Sequence, residues 1–282
     1  MDFTQEGGEL FVPDGTAEAE ALARTTYMGI GAHQDDLEIM AYDGILRCFG
    51  QPDECFCGVT VTNGSGSPRD ALYADYSDDE MQVVRRQEQK KAAYMGEYCA
   101  QVLLDFTSKQ VKETDKEAVR EDLKAIITAA RPQVIYTHNF ADKHDTHVAV
   151  ALRVLEVLRE LPPEARPDKL YGCEVWRDLD WMTDDDKVAF DVAGHENLEM
   201  AMLGIFDSQD CGGKRYDLAT MGRRVANATY YATHDVDVTQ SMIFAMDLTP
   251  LIEDDTLDVD PFVAEHISRF AADVSDRIGR MT

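Results

Sequence analysis

One stretch of the chain, residues 25–38, constrains the fold more than any other. A mostly apolar run ends in small residues and is followed at once by one imidazole and three carboxylates. A short apolar run that stops at such a cluster is typical of a buried strand with charged side chains at its carboxyl end. In an open α/β sheet, ligands bind at that end of the strands.

The residues of this cluster suit a metal ion. His33 and Asp36 offer a nitrogen and an oxygen donor, and zinc accepts both. Asp35 lies between them in sequence and is left unligated, so that it is available to take a proton. The alternative interpretation is an ordinary polar turn after a strand, because Asp is common in turns.

A second loop offers a further ligand. Another apolar run, residues 133–136, leads into a segment that contains His138, His144 and His147. His144 and His147 are three residues apart, so one helical turn brings them to the same face. Three protein ligands from two loops leave a coordination position for water, which is typical of a catalytic site. His138 is interpreted as a structural histidine.

These two stretches resemble the LmbE/PIG-L family of zinc-dependent N-deacetylases. The family carries Ala-His-x-Asp-Asp after its first strand, which residues 32–36 match, and His-x-x-His on a later loop, which residues 144–147 match. Weaker matches are a Gly-containing loop at residues 61–66 and the Arg-x-x-Glu motif at residues 85–88, within a predicted helix. The resemblance covers roughly residues 25–160, about half of the chain.

The resemblance implies a role for each matching residue. His33, Asp36 and His147 would bind Zn²⁺, with another divalent metal as the alternative. Asp35 would be the general base, and His144 would stabilise the oxyanion or protonate the departing amine. In a rival assignment His144 is the ligand and His147 lies behind it.

One departure from the family pattern concerns the residue before the last histidine. The family usually has Asp there, whereas this chain has Thr146, with Asp142 and Asp145 nearby. We predict that Asp142 folds back and orients the ring of His144, because Asp145 is better placed to cap the following helix.

Strand and helix signals alternate four times between residues 25 and 160. This alternation predicts an α/β fold with a mostly parallel sheet covered on both faces. The resemblance implies a three-layer, Rossmann-like arrangement with the catalytic loops at the carboxyl ends of the strands. Within it, residues 39–49 are predicted to form one helix, and helix starts are expected at Ser77 with Glu80 and at Thr114 with Glu117.

No linker or internal repeat divides the chain, so we expect one domain over residues 1–282. Residues 1–24 are interpreted as an arm packed on the domain, residues 25–160 as its core and residues 161–282 as a less regular second half. Contacts with the leaving group would come from that second half. Trp176 and Trp181 fit either core packing or stacking on a sugar.

Composition excludes several classes of partner. The formal net charge of −27 argues against binding to nucleic acid or to anionic membranes. No apolar run reaches 18 residues and no basic, apolar leader is present, so a cytoplasmic protein is expected. The six cysteines lack zinc-knuckle spacing and are interpreted as reduced core thiols. Homo-oligomer formation is left open.

The sequence therefore predicts a metal-dependent amidohydrolase that acts on a small N-acetylated amino sugar or sugar conjugate. The sugar is implied by the resemblance alone, and Arg85 is predicted to contact this substrate, the alternative being a solvated helix charge. Two other functions stay open: an amidase for a non-acetyl or thiol-conjugate amide, and a non-catalytic carbohydrate- or metal-binding protein on the same scaffold. A dinucleotide site is disfavoured because Gly29 and Gly31 lack the third glycine of that motif.

Overall fold

One sheet of eight strands forms the centre of the molecule, whose computed structural model describes residues 1–113 and 115–282. The strands are β1 (Glu9–Phe11), β2 (Tyr27–Gly31), β3 (Phe56–Thr62), β4 (Ala100–Phe106), β5 (Val134–His138), β6 (Lys169–Cys173), β7 (Lys187–Asp191) and β8 (Met242–Asp247). Their order across the sheet is β1-β4-β3-β2-β5-β6-β8-β7. The strands from β4 to β6 in this order are parallel, whereas β1 and β8 run antiparallel to their neighbours. The predicted α/β fold with a mostly parallel sheet is confirmed.

Helices connect the strands and cover the sheet. They are α1 (Glu18–Ala23), α2 (Asp36–Met40), α3 (Tyr42–Cys48), α4 (Asp78–Met95), α5 (Lys116–Ala130), α6 (Asp145–Glu160), α7 (Glu196–Leu203), α8 (Asp207–Asp210), α9 (Tyr216–Tyr230), α10 (Pro250–Glu253) and α11 (Val259–Met281). Two buried apolar clusters lie between helices and sheet, one containing Ile135 and the other its neighbour Tyr136. Because successive side chains of a strand point to opposite faces, the two clusters cover both faces and the fold has three layers.

One predicted helix boundary is confirmed and one predicted helix is divided. Ser77 and Glu80 form the expected capping box, in which each side chain accepts a hydrogen bond from the other residue's main-chain N–H. The predicted helix over residues 39–49 is instead two helices, α2 and α3, because the backbone leaves the helical region at Ala41, with φ −110°. The predicted cap at Thr114 lies outside the described residues.

The N-terminal residues form part of the sheet. β1 pairs antiparallel with β4 at the sheet edge, and Glu9 forms an ion pair with Arg86 at 3.0 Å. The arm expected for residues 1–24 therefore packs on the domain as a strand. β7, which the sequence pattern did not predict, pairs with β8 at the other edge.

Two expectations from composition can be compared with the structure. Within the described part of the chain, no helix combines the length and the apolar character that crossing a membrane requires. Four cysteines are buried, as expected for core thiols, whereas Cys211 is exposed.

The strand order creates the crevice that holds the site. β2 lies between β3, which follows it in sequence, and β5, which comes much later. Strand order therefore reverses at the β2–β5 pair, and ligands of open α/β sheets bind at such a switch point, beyond the carboxyl ends of the strands. Ile30 pairs with Thr137, so β2 and β5 end side by side.

Candidate metal and catalytic site

The loops that follow β2 and β5 meet at the floor of a cavity of about 380 Å³. The first loop contributes His33, Asp35 and Asp36, and the second contributes His144 and His147. The structure thus brings together all the residues that the sequence predicted to bind metal or transfer protons.

Donor atoms of three residues converge at this floor. Nδ1 of His33 lies 3.1 Å from Nε2 of His147 and 3.4 Å from Oδ2 of Asp36. Nε2 of His147 lies 3.5 Å from Oδ1 of Asp36. Atoms this close, from two imidazoles and a carboxylate, form the kind of cluster that holds a divalent metal.

Asp142 fixes the ring of His147. Its Oδ2 lies 3.1 Å from Nδ1 of His147 and accepts a hydrogen bond from the Val175 N–H at 3.1 Å. A carboxylate behind an imidazole holds the ring so that its other nitrogen, here Nε2, points at the donor cluster. Burial would raise the pKa of Asp142, but the hydrogen bond and charge of His147 lower it to about 2.

This contact differs from the one predicted for Asp142. We expected its carboxylate to orient the ring of His144, but it meets only the main-chain N–H of His144, at 3.3 Å. The ring of His144 is held instead at the start of α6, where its Nδ1 accepts a hydrogen bond from the Thr146 N–H at 3.3 Å. His144 is thus the N-cap of the helix, the position expected for Asp145.

The state of His144 follows from this cap. Because Nδ1 accepts a hydrogen bond, the proton of the neutral ring is on Nε2. Burial lowers the pKa of His144, and the nearby His33 lowers it further, so the neutral form is favoured. The ring is half-buried and contacts that of His33 edge to face, with centroids 4.9 Å apart.

His138 occupies a structural position behind the cluster. Its Nε2 accepts a hydrogen bond from the Ala32 N–H at 2.8 Å and lies 3.2 Å from Oδ2 of Asp36. Since its lone pair is used by Ala32, the ring joins β5 to the loop after β2. Burial would raise the pKa of Asp36, but the neighbouring His147 and His138 hold it well below its usual range, so this carboxylate is ionised.

Asp35 adopts an unusual backbone conformation. Its φ of 93° lies in the left-handed region, which non-glycine residues seldom adopt and which is concentrated at functional sites. Burial raises the pKa of its carboxyl group to about 7, although the charge of Arg85 opposes the increase. A carboxylate with a pKa near neutrality is suited to exchanging a proton.

Arg85 lies among protein groups. The contact with substrate expected from the sequence stays a prediction: the residue lines the cavity, its side chain is only 1% exposed and both terminal nitrogens have protein partners. Nη2 donates to Oδ2 of Asp35 at 3.2 Å and to the carbonyl of Gln34, while Nη1 lies 3.4 Å from Oε2 of Glu88. These contacts orient Asp35, so we assign Arg85 a positioning role.

Glu38, two residues after the Ala-His-x-Asp-Asp motif, lies away from the cavity. It is completely buried, and its Oε1 accepts hydrogen bonds from the Tyr98 hydroxyl at 2.7 Å and from Nε2 of Gln89 at 2.9 Å. Burial raises the pKa of Glu38 to about 7. Gln89 also accepts a hydrogen bond from the Asp35 N–H, so Glu38 supports the loop through its packing.

The loop after β3 forms one side of the cavity, and Asn63, Gly64 and Ser65 line it. Gly64 has φ +74°, and a Cβ there would lie 2.5 Å from Oε1 of Gln34. Only glycine therefore allows the loop to lie this close to the residues around Asp35. The sequence had left open whether this loop was part of the site.

The second half of the chain forms the opposite wall. Trp176, Gln209, Lys214 and Tyr216 line the cavity, whereas Trp181 packs against the core and donates to Glu174 at 3.0 Å. Trp176 stands edge to face with Tyr216, and Nζ of Lys214 lies 5.2 Å from the Trp176 ring centre. For Trp176 the sequence allowed either core packing or stacking on a sugar. The other residues of this wall were not predicted, because no motif or spacing marks them.

Comparison with known proteins identifies the family. Residues 28–158 match the family model PIG-L, described as GlcNAc-PI de-N-acetylase, and this segment contains the donor cluster, Asp35 and His144. No curated protein matches the chain in sequence.

Solved structures of similar fold are distant in sequence. The N,N'-diacetylchitobiose deacetylase from Pyrococcus horikoshii is 15% identical, with a TM-score of 0.63 over 84% of this chain and 88% of that one. The A40926 pseudoaglycone deacetylase Dbv21 is 16% identical, with a TM-score of 0.57 over 79% and 97%.

A third protein of similar fold is a hydratase and not a deacetylase. The 4-carboxy-2-hydroxymuconate hydratase GalB from Pseudomonas putida is 13% identical, with a TM-score of 0.61 over 79% of this chain and 95% of that one. The fold alone therefore does not select the reaction. Residues 28–158 match the PIG-L family model, and the resemblance predicted from the two motifs is confirmed.

Proposed function

We propose that this protein is a zinc-dependent N-deacetylase that releases acetate from an N-acetylated amino sugar or a sugar conjugate. The observation that carries the proposal is the convergence of His33, Asp36 and His147 at the floor of an open cavity, next to Asp35. All four residues lie in the segment that matches the PIG-L family.

The donor set fits a zinc ion. Ligands arranged tetrahedrally around Zn²⁺ at about 2.0–2.1 Å are separated by roughly 3.3 Å. The separations here are 3.1 Å between the two imidazole nitrogens, 3.4 Å from His33 to Oδ2 of Asp36 and 3.5 Å from His147 to Oδ1 of Asp36. Burial lowers the pKa of His147 to about 4, so the ring is neutral, and Asp36 is ionised. Neutral imidazole and carboxylate are the forms that bind metals. Another divalent metal with the same ligand preference is the alternative.

Among the described residues, two sets of three each place one donor atom per residue within 4.8 Å of the others, namely His33 with His144 and His147, and Asp36 with His138 and His147. Hydrogen bonding disfavours both. Nε2 of His138 is already the acceptor for the Ala32 N–H, and the Thr146 N–H leaves the proton of His144 on Nε2. A nitrogen that carries a proton or already accepts a hydrogen bond offers no lone pair to a metal.

In the proposed reaction Asp35 moves a proton and Arg85 holds it in place. When bound, zinc supplies an acidified water molecule and polarises the amide carbonyl. Asp35 accepts the proton of the attacking water, because a pKa near 7 leaves a large fraction of its carboxyl group ionised at neutral pH. The hydrogen bond from Arg85 limits the side chain to one orientation.

His144 is the second proton-transfer group. Its Nε2–H donates to the developing negative charge on the amide oxygen or to the departing amine nitrogen. The Thr146 N–H keeps the ring in the tautomer that this role needs. Among the described residues no carboxylate hydrogen-bonds to the ring, so its donor strength comes from the cap and from its position beside His33.

The substrate class is supported by the relatives. The family description names a de-N-acetylase of GlcNAc-PI, and a protein of similar fold is a diacetylchitobiose deacetylase. The cavity volume of about 380 Å³ lies in the range of small-molecule sites. An aromatic wall at Trp176 and Tyr216 suits the apolar face of a sugar ring.

Release of acetate tests the proposal. We expect zinc-loaded protein to release acetate from N-acetylglucosamine or N,N'-diacetylchitobiose, and protein stripped with a chelator to release none until zinc is restored. N-acetylglycine, a linear amide without a sugar, serves as the control substrate. Acetate from N-acetylglycine alone would indicate a different amidase, and no acetate from any of the three would contradict the proposed function.

A further inference from the structure

Gln209, in the short helix α8, presents an unused amide at the cavity wall. The side chain is 3% exposed and lines the cavity. Its Nε2 is buried and has no hydrogen-bond partner among the described residues. Buried polar groups nearly always find partners, so an amide left in this state beside a cavity indicates a group that a ligand completes.

The main chain next to this amide is held rigidly. Ser208 is completely buried, and its N–H and hydroxyl donate to the two oxygens of Glu88, each at 2.7 Å. Nη1 of Arg85 lies 3.4 Å from both Glu88 and Ser208. Arg85 also holds Asp35, so one buried network fixes the position of Gln209 relative to the proposed base. Such rigidity is what a recognition residue needs.

The surrounding wall indicates the chemistry of the ligand. Trp176 and Tyr216, which contact each other, add aromatic surface to the lining of the same cavity. An amide both donates and accepts hydrogen bonds, as does a hydroxyl group, and its terminal rotation presents either atom to the ligand. Aromatic surface beside a neutral amide suits a sugar ring with its apolar faces and hydroxyl groups.

We propose that Gln209 is a specificity-determining residue that binds a hydroxyl group of the sugar in the substrate. The inference rests on the proposed deacetylase function for the identity of the reaction. Gln209 lies outside residues 28–158, so recognition of the sugar comes from the second half of the chain, while the reacting groups come from the PIG-L segment.

Gln209→Met keeps the length of the side chain and removes its hydrogen bonding. With N-acetylglucosamine, we expect kcat/KM to fall roughly 5- to 150-fold, the loss typical of one hydrogen bond to a buried group. The melting temperature of the ligand-free variant should stay equal or rise, because an unpartnered buried amide has been removed. Gln133→Met, on an exposed residue outside the cavity, is the matched control and should change neither quantity.

A structural role would give the opposite pattern, with a lower melting temperature and a matching loss of folded protein. Monodeoxy analogues of N-acetylglucosamine sharpen the test. One analogue should lose activity with the wild-type protein but show no further loss with Gln209→Met, since the same hydrogen bond is already absent. If every analogue reduced activity by the same factor in the wild type and in Gln209→Met, the inference would be overturned.

Binding separates this inference from the proposed function. If the wild-type protein released no acetate, the deacetylase proposal would fail. Calorimetric titration with N-acetylglucosamine would then still test Gln209. Weaker binding by Gln209→Met than by the wild type supports the inference, whereas equal binding, or no binding by either protein, overturns it.

Discussion

The PIG-L segment, residues 28–158, and the following half of the chain contribute to one cavity in different ways. The first supplies the donor cluster, Asp35 and His144, all on the two loops that leave β2 and β5. The second supplies Trp176, Gln209, Lys214 and Tyr216, which come from separate elements and form a wall. The reacting groups are thus positioned by adjacent strand ends, whereas the wall is positioned by packing between distant parts of the chain.

Two buried arginines join these regions. Arg85 of the PIG-L segment contacts Ser208 as well as Asp35. In the opposite direction, Arg224 of α9 donates to the main-chain carbonyls of Glu38 at 2.7 Å and Ile39 at 3.1 Å, and its charge is paired with Glu199 at 2.6 Å. Each arginine belongs to one of the two regions and hydrogen-bonds to residues of the other. These bonds fix the position of the wall relative to the catalytic loop.

The comparison predicts that changes in the PIG-L segment affect turnover most strongly. Asp35→Asn is nearly isosteric but cannot accept a proton, so we expect kcat to fall by about 10²–10⁴ while bound zinc stays the same. Acetate release and metal analysis of the purified variant measure the two effects. A kcat close to that of the wild type would assign the base to another residue.

A smaller effect is expected at Asp142, which contacts the ring of His147. Asp142→Asn should weaken zinc binding about 10- to 100-fold, because a carboxylate behind a ligating imidazole orients the ring and raises its basicity. Competition with a chelating dye gives the affinity. Asp145→Asn is the matched control, and a loss of affinity in that variant but not in Asp142→Asn would contradict the contact seen here.

An effect on stability alone is expected at Glu38, which is buried and lies outside the cavity wall. Burial raises its pKa from 4.5 to about 7, so the folded state favours the protonated form. This contribution to stability is fully present below about pH 4.5 and is lost as the pH rises through 7. Because glutamine does not ionise, Glu38→Gln does not lose this stability as the pH rises. The free energy of unfolding of the variant, relative to that of the wild type, should therefore increase by up to about 3 kcal/mol between pH 5 and pH 8. Denaturant unfolding at the two pH values measures the gain, and a difference independent of pH would show that Glu38 is not the titrating group.

Sequence patterns predicted the elements that depend on local chemistry. Strands such as β3, the capping box at Ser77 and the gathering of His33, Asp36 and His147 follow from periodicity, short-range hydrogen bonds and the meeting of parallel strand ends. The edge strand β7 was missed because its pairing with β8 arises from distant parts of the chain.

Hydrogen-bond partners across loops were harder to predict. Asp142 meets the ring of His147 because the loop turns back over the first turn of α6, a path that spacing does not specify. Arg85 looked available for substrate because sequence does not show that Asp35, Glu88 and Ser208 enclose it. Apolar residues recur at helical spacing in α11, yet Ile278 is 60% exposed, since periodicity does not reveal whether a neighbour covers the face.

The central claim is that His33, Asp36 and His147 hold the metal and leave Asp35 and His144 free for proton transfer. The most direct measurement is anomalous diffraction, at the zinc absorption edge, from crystals of the zinc-loaded protein. The account predicts one strong peak about 2.0–2.1 Å from Nδ1 of His33, a carboxylate oxygen of Asp36 and Nε2 of His147. A peak bonded to His138 or His144 in place of one of these ligands, or no peak in the cavity, would contradict it.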